Sequence, residues 1–414
     1  MGKSIWCRCS KRVPPTMPPA GRVILFAAWL LLGCGTALCT LASESALEPL
    51  RWHGFLNQGF IKTDHNNFFG NSEDVSWKFT DIGLGVAWRP LNWLQLSAQA
   101  IYRQAGETSP DDVHTDFAVV DLNLVNTTEF GADLRLGRVK NAYGLYNETR
   151  DIAAARPSIL LPESIYLDTL RELFHSADSV AISFYRDWGH LLLHLDASYG
   201  RPVIDDFSQA VILTRRFAGD FKDERLWVGR VMLEHDGGRL RYGFSASGMC
   251  SDFEPAPTDP IIAGQTQADL RLLSLEYNLA NWQFAAEYQR RDLRFRDIFG
   301  PGYRNTLEAE SYYLQANYQV TDDWRLLARY DVYYPDRHDK SGRALAQQTG
   351  VPHYEGFAKD VTLGARYDVD EHWTLSLEYH HIKGTAWIAR KENPDPTELK
   401  ENWNMLTAQI GYRF

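Results

Sequence analysis

Stretches of roughly ten residues, in which apolar and polar side chains alternate, recur about sixteen times between residue 51 and the C-terminus. Alternation with a period of two predicts β-strands that have one apolar face and one polar face. The last stretch, residues 403–414, carries Leu406, Ala408, Ile410, Tyr412 and Phe414 on one face and Thr407, Gln409, Gly411 and Arg413 on the other. A strand with one apolar face and a terminal aromatic residue is typical of a barrel wall whose edge lies at a lipid headgroup layer.

The connections between these stretches alternate between short and long. The short ones cover residues 90–93, 127–129, 187–189, 236–239, 280–281, 321–323 and 370–372. The others have about 10 to 40 residues, and such a two-sided arrangement indicates an outer-membrane barrel with periplasmic turns and long outer loops. The predicted fold is therefore an all-β, transmembrane, antiparallel up-and-down barrel of about sixteen strands. Because a barrel leaves no edge, the last strand should pair with the first, near residues 51–63.

Tryptophan recurs in or beside the short turns. The residues concerned are Trp93, Trp188, Trp282, Trp324 and Trp373. If the barrel closes, these side chains form one ring, which is the aromatic girdle expected at a membrane interface. The alternative is that tryptophan only caps the hairpins of a soluble sheet.

The two faces of the predicted strands differ in charge. In residues 324–334 the apolar face carries Trp324, Leu326, Ala328, Tyr330 and Val332, opposed by Arg325, Leu327, Arg329 and Asp331. Ions in such numbers could not all be paired in a dry interior, so a water-filled lumen is favoured. A barrel of about sixteen strands is also wide enough to leave an aqueous channel. We predict that Arg135, Arg325, Arg329 and Arg366 line this pore.

The N-terminal segment has the organisation of an export signal. Five basic residues precede an apolar core at residues 23–32, and small residues follow it. This order predicts a signal peptide over residues 1–42, cleaved after Ala42, and a barrel formed by residues 43–414. In the alternative, Cys34 ends a lipoprotein box and becomes lipidated. No segment approaches the roughly 20 apolar residues of a membrane-spanning helix, which excludes a helical membrane protein.

The remaining composition excludes several classes of protein. Four of the five cysteines lie in the N-terminal segment, so the mature chain keeps only Cys250 and can form no internal disulfide. The formal net charge of −10 makes nucleic acid an improbable partner. The chain contains no His-Glu-x-x-His, P-loop or Gly-x-Ser-x-Gly motif, and His380 and His381 should point to opposite faces of a strand. We therefore expect no enzyme activity, cofactor or metal site.

One connection differs from the other long loops. Residues 140–178 include a helix-like piece at 147–156 and an apolar run at 159–161. Loops of this length usually carry function or are disordered, and this one has too many apolar residues for disorder. It is the third outer loop of the predicted barrel.

In this long third loop, in its alternating strands and in its terminal Phe414, the chain resembles the sixteen-stranded bacterial porins. The resemblance implies a third loop that folds into the barrel and narrows the pore. It also implies passive diffusion of small hydrophilic solutes across the outer membrane and frequent assembly as a homotrimer. Tyr412 and Phe414 would then form the signal that the barrel-assembly machinery recognises.

Charged residues on this loop are the candidates for the narrowest part of the pore. We predict that Arg150, Asp151, Arg156 and Glu163 form the constriction. The alternative is that they anchor the loop to the wall by ion pairs. Rings of like charge select ions, whereas this mixed set leaves the sign of the selectivity open.

Two other functions remain compatible with the pattern. One is a substrate-specific channel for sugars or organic anions, in which Tyr143, Tyr146, Tyr166 and Phe174 of the loop form a path for sugars. The other is a structural or adhesive barrel whose loops bind surface partners while the lumen is closed.

Overall fold

The computed structural model describes residues 50–109, 111–213 and 215–414. The predicted signal peptide, its cleavage site after Ala42 and the alternative lipidation of Cys34 all lie outside the described residues. Cys250, the one cysteine within them, is buried and free.

Sixteen antiparallel strands form one closed barrel in which every strand pairs with its neighbours in sequence. The predicted fold and strand number are therefore confirmed. The strands are β1 (Arg51–Thr63), β2 (Ser76–Leu91), β3 (Leu94–Ala105), β4 (Val113–Asn126), β5 (Phe130–Lys140), β6 (Ser176–Asp187), β7 (Leu191–Pro202), β8 (Asp220–His235), β9 (Leu240–Glu254), β10 (Gly264–Leu279), β11 (Trp282–Arg296), β12 (Arg304–Gln319), β13 (Trp324–Tyr334), β14 (Ala358–Asp368), β15 (Trp373–Gly384) and β16 (Asn402–Arg413).

The barrel closes where β1 pairs with β16, as predicted. Phe414 donates its backbone N–H to the carbonyl oxygen of Gly54 at 3.0 Å, and Gly54 donates in return at 3.2 Å. A Cβ atom at position 54 would lie 2.6 Å from the Phe414 ring, so glycine allows the terminal aromatic side chain to lie flat against the seam.

The outer surface of the wall is an apolar band. Outward-facing side chains such as Leu84, Leu273, Leu314 and Leu363 are exposed, whereas their sequence neighbours point into the barrel. A soluble protein rarely exposes so extended an apolar surface, whereas a lipid-facing wall requires one. Val332, which we expected on the lipid-facing surface, is an exception. It is buried because Tyr334 and Phe357 cover it near the end with the long loops.

The predicted girdle is present. All five tryptophans beside the short turns are exposed. Three of them pack against a tyrosine of the neighbouring strand with tilted rings, and the ring centroids are 4.5 Å apart for Trp282–Tyr318, 4.8 Å for Trp324–Tyr367 and 4.7 Å for Trp373–Tyr412. This repeated pairing forms a belt at the end of the barrel that carries the short turns.

Several strands extend further towards the long loops than the alternation predicted. The alternating pattern predicts strands at residues 282–292 and 310–320, whereas β11 continues to Arg296 and β12 already begins at Arg304. Hydrogen bonding between these two strands continues above the apolar band, where the outward side chains no longer need to be apolar. The loops at residues 106–112 and 297–303 are correspondingly shorter than expected.

Two of the other long loops carry short helices rather than further strands. Asp206–Ile212 and Arg343–Thr349 are helical, so residues 203–219 and 335–357 add nothing to the strand count. Within the described part of the chain, no helix is long and apolar enough to cross a membrane.

Candidate functional site: the inward loop and the luminal wall

The connection between β5 and β6 lies inside the barrel, as predicted. It comprises residues 141–175, here called the inward loop, and is shorter than the predicted 140–178 because β6 begins at Ser176. Its two ends meet, since Asn141 donates its backbone N–H to the carbonyl oxygen of His175 at 2.9 Å. The helix-like piece consists of two 3-10 turns, Asn147–Thr149 and Ala153–Ala155.

The inward loop crosses the lumen to the opposite wall. Ile159 donates its backbone N–H to Oε1 of Glu378 on β15 at 2.6 Å, and Ser164 donates its own to Asp331 on β13 at 3.2 Å. Arg329 on β13 donates to the Ser158 hydroxyl at 3.0 Å and to the Leu160 carbonyl oxygen at 2.9 Å. Since β13 is the eighth strand on from β5, these contacts span the barrel from one side to the other.

A buried ionic cluster holds the base of the loop against the near wall. Lys140 lies between Asp116 of β4 and Asp151 of the loop, with Nζ–O distances of 3.1 and 2.6 Å. Arg171 forms an ion pair with the other oxygen of Asp151. His175 Nε2 lies 2.8 Å from Asp116 and 2.9 Å from Asp151.

The charges of this cluster balance without a metal ion. Burial lowers the pKa of His175 to about 4 even though Asp116 opposes the change, so its imidazole is neutral at pH 7. The two carboxylates, Asp116 and Asp151, then balance the charges of Lys140 and Arg171. Asp116, Asp151 and His175 are close enough to ligate a metal, but an added divalent ion would leave excess positive charge in a dry site. The cluster is therefore best described as an ion-pair network, and the expected lack of a metal site stays a prediction.

A second set of contacts holds the loop against β2 and β3. Arg103 of β3 pairs with Asp81 of β2 at 2.7 Å and also with Asp168 of the loop. Arg150 lies 3.6 Å from Asp168 and donates to the Tyr166 carbonyl oxygen at 3.0 Å. Glu163 accepts the backbone N–H of Asp168 at 3.0 Å, and burial, aided by the negative charge of Asp168, raises the pKa of Glu163 to about 8.

A third set lies on the other side of the barrel. Tyr166 donates its hydroxyl to Glu287 of β11 at 2.6 Å. Arg230 of β8 pairs with Glu148 at 2.8 Å and donates to the Gly144 carbonyl oxygen at 3.3 Å. The loop therefore spans the lumen and is attached to strands on opposite sides of the barrel, from β2–β4 through β8 and β11 to β13–β15.

The four predicted constriction residues all lie on the part of the loop inside the barrel. They are buried, however, with exposed fractions of 5% for Arg150, 1% for Asp151, 6% for Arg156 and 8% for Glu163. Each of them makes a polar contact with the loop or the wall. This geometry favours the alternative in which these residues anchor the loop.

The aromatic residues of the loop also pack against the wall. Tyr143 accepts a hydrogen bond from Gln289 of β11 at 3.1 Å, and the rings of Tyr146 and Tyr166 lie 5.9 Å apart. All three tyrosines are buried, and Phe174 packs against the same apolar cluster. These side chains therefore offer no exposed path for a sugar.

The four predicted pore-lining arginines divide into two pairs. Arg329 is buried and binds the loop, and Arg366 donates to the carbonyl oxygens of Ala153 and Ala154 at 3.3 and 3.1 Å. Arg135 and Arg325 are partly exposed to the lumen. Arg135 lies 3.6 Å from Asp121 on the neighbouring strand.

A narrow crevice separates the loop from the wall at β13–β16. Arg156 of the loop, Arg325 of β13 and Arg366 of β14 line it together with Glu378 and Gln409. Burial lowers the pKa of Arg156, an effect that the negative charge of Asp81 opposes. The crevice brings together three of the arginines that the sequence singled out separately.

Sequence reasoning missed several residues that hold the loop, above all Asp116, His175 and Glu378. Glu378 could have been found, because it lies between Ser376 and His380 on the polar face of residues 373–383. His380 and His381 do point to opposite faces, as expected, since His380 is buried 2.8 Å from Asp360 whereas His381 is exposed. No local pattern marks His175, because its partners come from elsewhere in the chain.

Neither the family models nor the curated proteins contain a match to this chain. Solved structures with the same fold do exist. The anion-selective porin from Comamonas acidovorans is 14% identical, with a TM-score of 0.53, 88% of this chain covered and 99% of the porin. The outer-membrane channel DcaP of Acinetobacter baumannii is 12% identical, with a TM-score of 0.53 and 90% and 99% covered.

A third similar structure is the trimer form of in-vitro folded OmpT, an outer-membrane protein of Vibrio cholerae. It is 12% identical, with a TM-score of 0.54, 88% of this chain covered and 99% of OmpT. At such identities the likeness concerns the fold. The chain therefore has the closed sixteen-stranded barrel fold of bacterial outer-membrane porins and channels.

Proposed function

We propose that this chain is an outer-membrane channel for the passive diffusion of small hydrophilic solutes, with a passage that the inward loop makes narrow. The observation that carries the proposal is the contrast between the two surfaces of the wall. Its outer surface is an apolar band with a tryptophan belt, whereas its inner surface carries many ionic and amide side chains beside the apolar cluster that packs against the inward loop. Such a wall needs lipid on one side and water on the other.

The luminal wall below the inward loop supports a water-filled passage. Near the short turns, the side chains of Arg135 and Asp121 are each 28% exposed, and Arg325 is also partly exposed. In a solid barrel these ions would be as dry as those beside the loop. The periplasmic half of the lumen is thus proposed to be an aqueous vestibule.

A second candidate is a structural or adhesive barrel with a closed lumen. One observation favours it, namely that the loop is braced against the wall on all sides by buried contacts. We rank it second, because the diffusion of small solutes requires only a narrow water-filled path beside the inward loop. The two candidates differ in conductance, which is expected to be low and ohmic for the channel and zero for the closed barrel.

The experiment is single-channel recording of the purified protein in a planar bilayer. Steps of constant size in potassium chloride would support the channel, and their reversal potential under a salt gradient would report the ion selectivity. Repeated insertion of correctly folded barrels without any step would refute it in favour of the closed barrel.

The proposed partners follow from the same location. Tyr412 and Phe414 are placed at the seam and the girdle, where the barrel-assembly machinery could bind them, and small solutes and outer-membrane lipid are the other partners. A homotrimer is proposed because a trimer form exists among the similar structures. Cross-linking in intact membranes would test it, since a monomeric barrel would give no third band.

A further inference from the structure

We propose that the crevice between the inward loop and β13–β16 binds one oxygen of a small oxyanion, a carboxylate or a phosphate group. The channel would then pass small organic or inorganic anions in preference to neutral sugars. The preference in transport rests on the proposed channel function. The binding of the anion itself does not.

The first observation is a pair of like charges. Arg325 and Arg366 lie directly opposite each other on β13 and β14, and both side chains point into the lumen. Like charges directly opposite in a sheet are destabilising unless something offsets them. Asp368 offsets Arg366, with which it makes contacts of 2.8 and 2.7 Å.

Arg325 has no comparable partner. It donates to the side-chain oxygen of Gln319 at 3.0 Å. In the part of the chain that the structure describes, no carboxylate lies within salt-bridge distance of it. A guanidinium that is partly dry and faces another guanidinium is a favourable place for an anion, since planar N–H forks match carboxylate and phosphate geometry.

The second observation is a buried donor without an acceptor. Arg156 is 6% exposed and donates through one terminal nitrogen to Gln409 at 3.3 Å. Its Nε atom is buried and has no hydrogen-bond partner among the described residues. An unsatisfied buried donor of a charged group is costly, and an anion oxygen in the crevice would satisfy it.

Charge and size then restrict the ligand. The crevice is lined by three guanidinium groups and a single carboxylate, that of Glu378. Glu378 already accepts the backbone N–H of Ile159, so the surplus charge is positive. The space between these groups is about that of one water molecule, which fits a single oxygen atom and not a sugar ring.

Isothermal titration calorimetry of the full-length barrel in detergent tests the proposal without any need for current. The probes are inorganic phosphate and acetate, each added at constant ionic strength. We expect saturable binding of either anion that Arg325→Gln and Arg156→Gln each weaken by about tenfold, the loss of one charge-assisted hydrogen bond.

Arg89→Gln is the matched control. Arg89 also has a glutamine partner, Gln95, at 2.8 Å, but lies outside the crevice on β2. The control removes the same charge and should leave binding within about twofold of the native protein. Resistance of the folded barrel to unfolding in cold detergent verifies that each variant is folded.

The outcomes separate this proposal from the proposed function. No binding of either anion, or an equal loss in Arg89→Gln, would overturn the anion site even if the protein conducts. Crevice-dependent binding in a protein that never conducts would support the anion site and refute the channel. If the protein both binds the anion in the crevice and conducts, Arg325→Gln should also move the reversal potential towards that of a cation-selective pore. Arg89→Gln should move it less.

Discussion

Glu378 on β15 accepts the backbone N–H of Ile159 at 2.6 Å and so fixes the middle of the inward loop to the wall opposite its origin. Both groups are buried. The same stretch of loop is held by Arg329, which donates to Ser158 and to the Leu160 carbonyl oxygen. The position of the loop across the lumen therefore depends on side chains from strands more than 150 residues later in the chain.

Removal of this acceptor should loosen the loop without opening the barrel. We expect Glu378→Ala to cost about 1–3 kcal/mol, because the Ile159 N–H is left buried without an acceptor. The measurable result is faster proteolytic cleavage within residues 141–175 and larger fluctuations of the channel current.

Glu276→Ala is the control for that variant. Glu276 is as buried as Glu378, at 4% against 3% exposed, but it accepts from Arg241 and Asn278 on the wall and not from the loop. Equal cleavage of the loop in both variants would show that the Glu378 contact does not hold it.

The order of the loop should decrease at high pH. Burial raises the pKa of Glu163 to about 8 from the ordinary value of 4.5, so the folded loop prefers the neutral carboxyl group. A raised folded pKa of an acid contributes stability that is fully present below 4.5 and is lost as the pH rises through 8. Hydrogen exchange of residues 158–170 should therefore accelerate, relative to the intrinsic rate, between pH 5 and 9.

Glu163→Gln should remove that dependence, because the amide resembles the neutral acid. Glu172 affects the stability of the loop in a different pH range. Its contacts with His114 and Arg171 outweigh the effect of burial and lower its pKa. Its contribution to stability is therefore lost only as the pH falls below the ordinary carboxyl range. If exchange in the Glu163→Gln protein still accelerates between pH 5 and 9, another group is responsible.

The lipid-facing surface can be tested with a single charge. Leu363 is 56% exposed on the outward side of β14, and Val75 is 50% exposed in the loop before β2. An arginine in the apolar band costs about 2–4 kcal/mol at the bilayer midplane and little outside it. We expect Leu363→Arg to lower the free energy of unfolding in lipid vesicles by that amount and Val75→Arg to leave it almost unchanged. A soluble barrel would tolerate both equally.

The C-terminal residue should matter for assembly more than for stability. Deletion of Phe414 removes the seam hydrogen bonds to Gly54 and the exposed terminal ring. We expect several-fold less folded barrel in cells but a modest loss when the protein is refolded in detergent, whereas Phe414→Tyr should retain assembly. Equal losses in cells and in detergent would assign Phe414 a structural role alone.

The wall of this barrel could be predicted from the sequence because the orientation of each wall residue depends on its neighbours in the sequence. A residue such as Leu363 faces lipid or lumen according to its place in an alternating run, and the turn beside Trp324 follows from the end of that run. Closure by Phe414 and Gly54 follows as well, since an unpaired edge is not tolerated in a membrane. The outer ends of β11 and β12 escaped prediction because no lipid constrains their side chains.

The site was predicted less well because its contacts are not local. The sequence placed Arg150, Asp151, Arg156 and Glu163 inside the barrel but could not show that partners such as Arg103 and Lys140 would bury them. Charge in a loop is compatible with both an open constriction and an ionic anchor. Only the contacts across the barrel distinguish the two.

Excision of the inward loop tests most directly whether water passes through a lumen that this loop narrows. Asn141 and His175 are already hydrogen bonded, so residues 142–174 can be replaced by a short Gly-Ser turn with both strands kept in place. Single-channel recording should show small ohmic steps for the native protein and steps several-fold larger for the excised form. Folded barrels that carry no current in either form would show that the lumen has no water-filled passage.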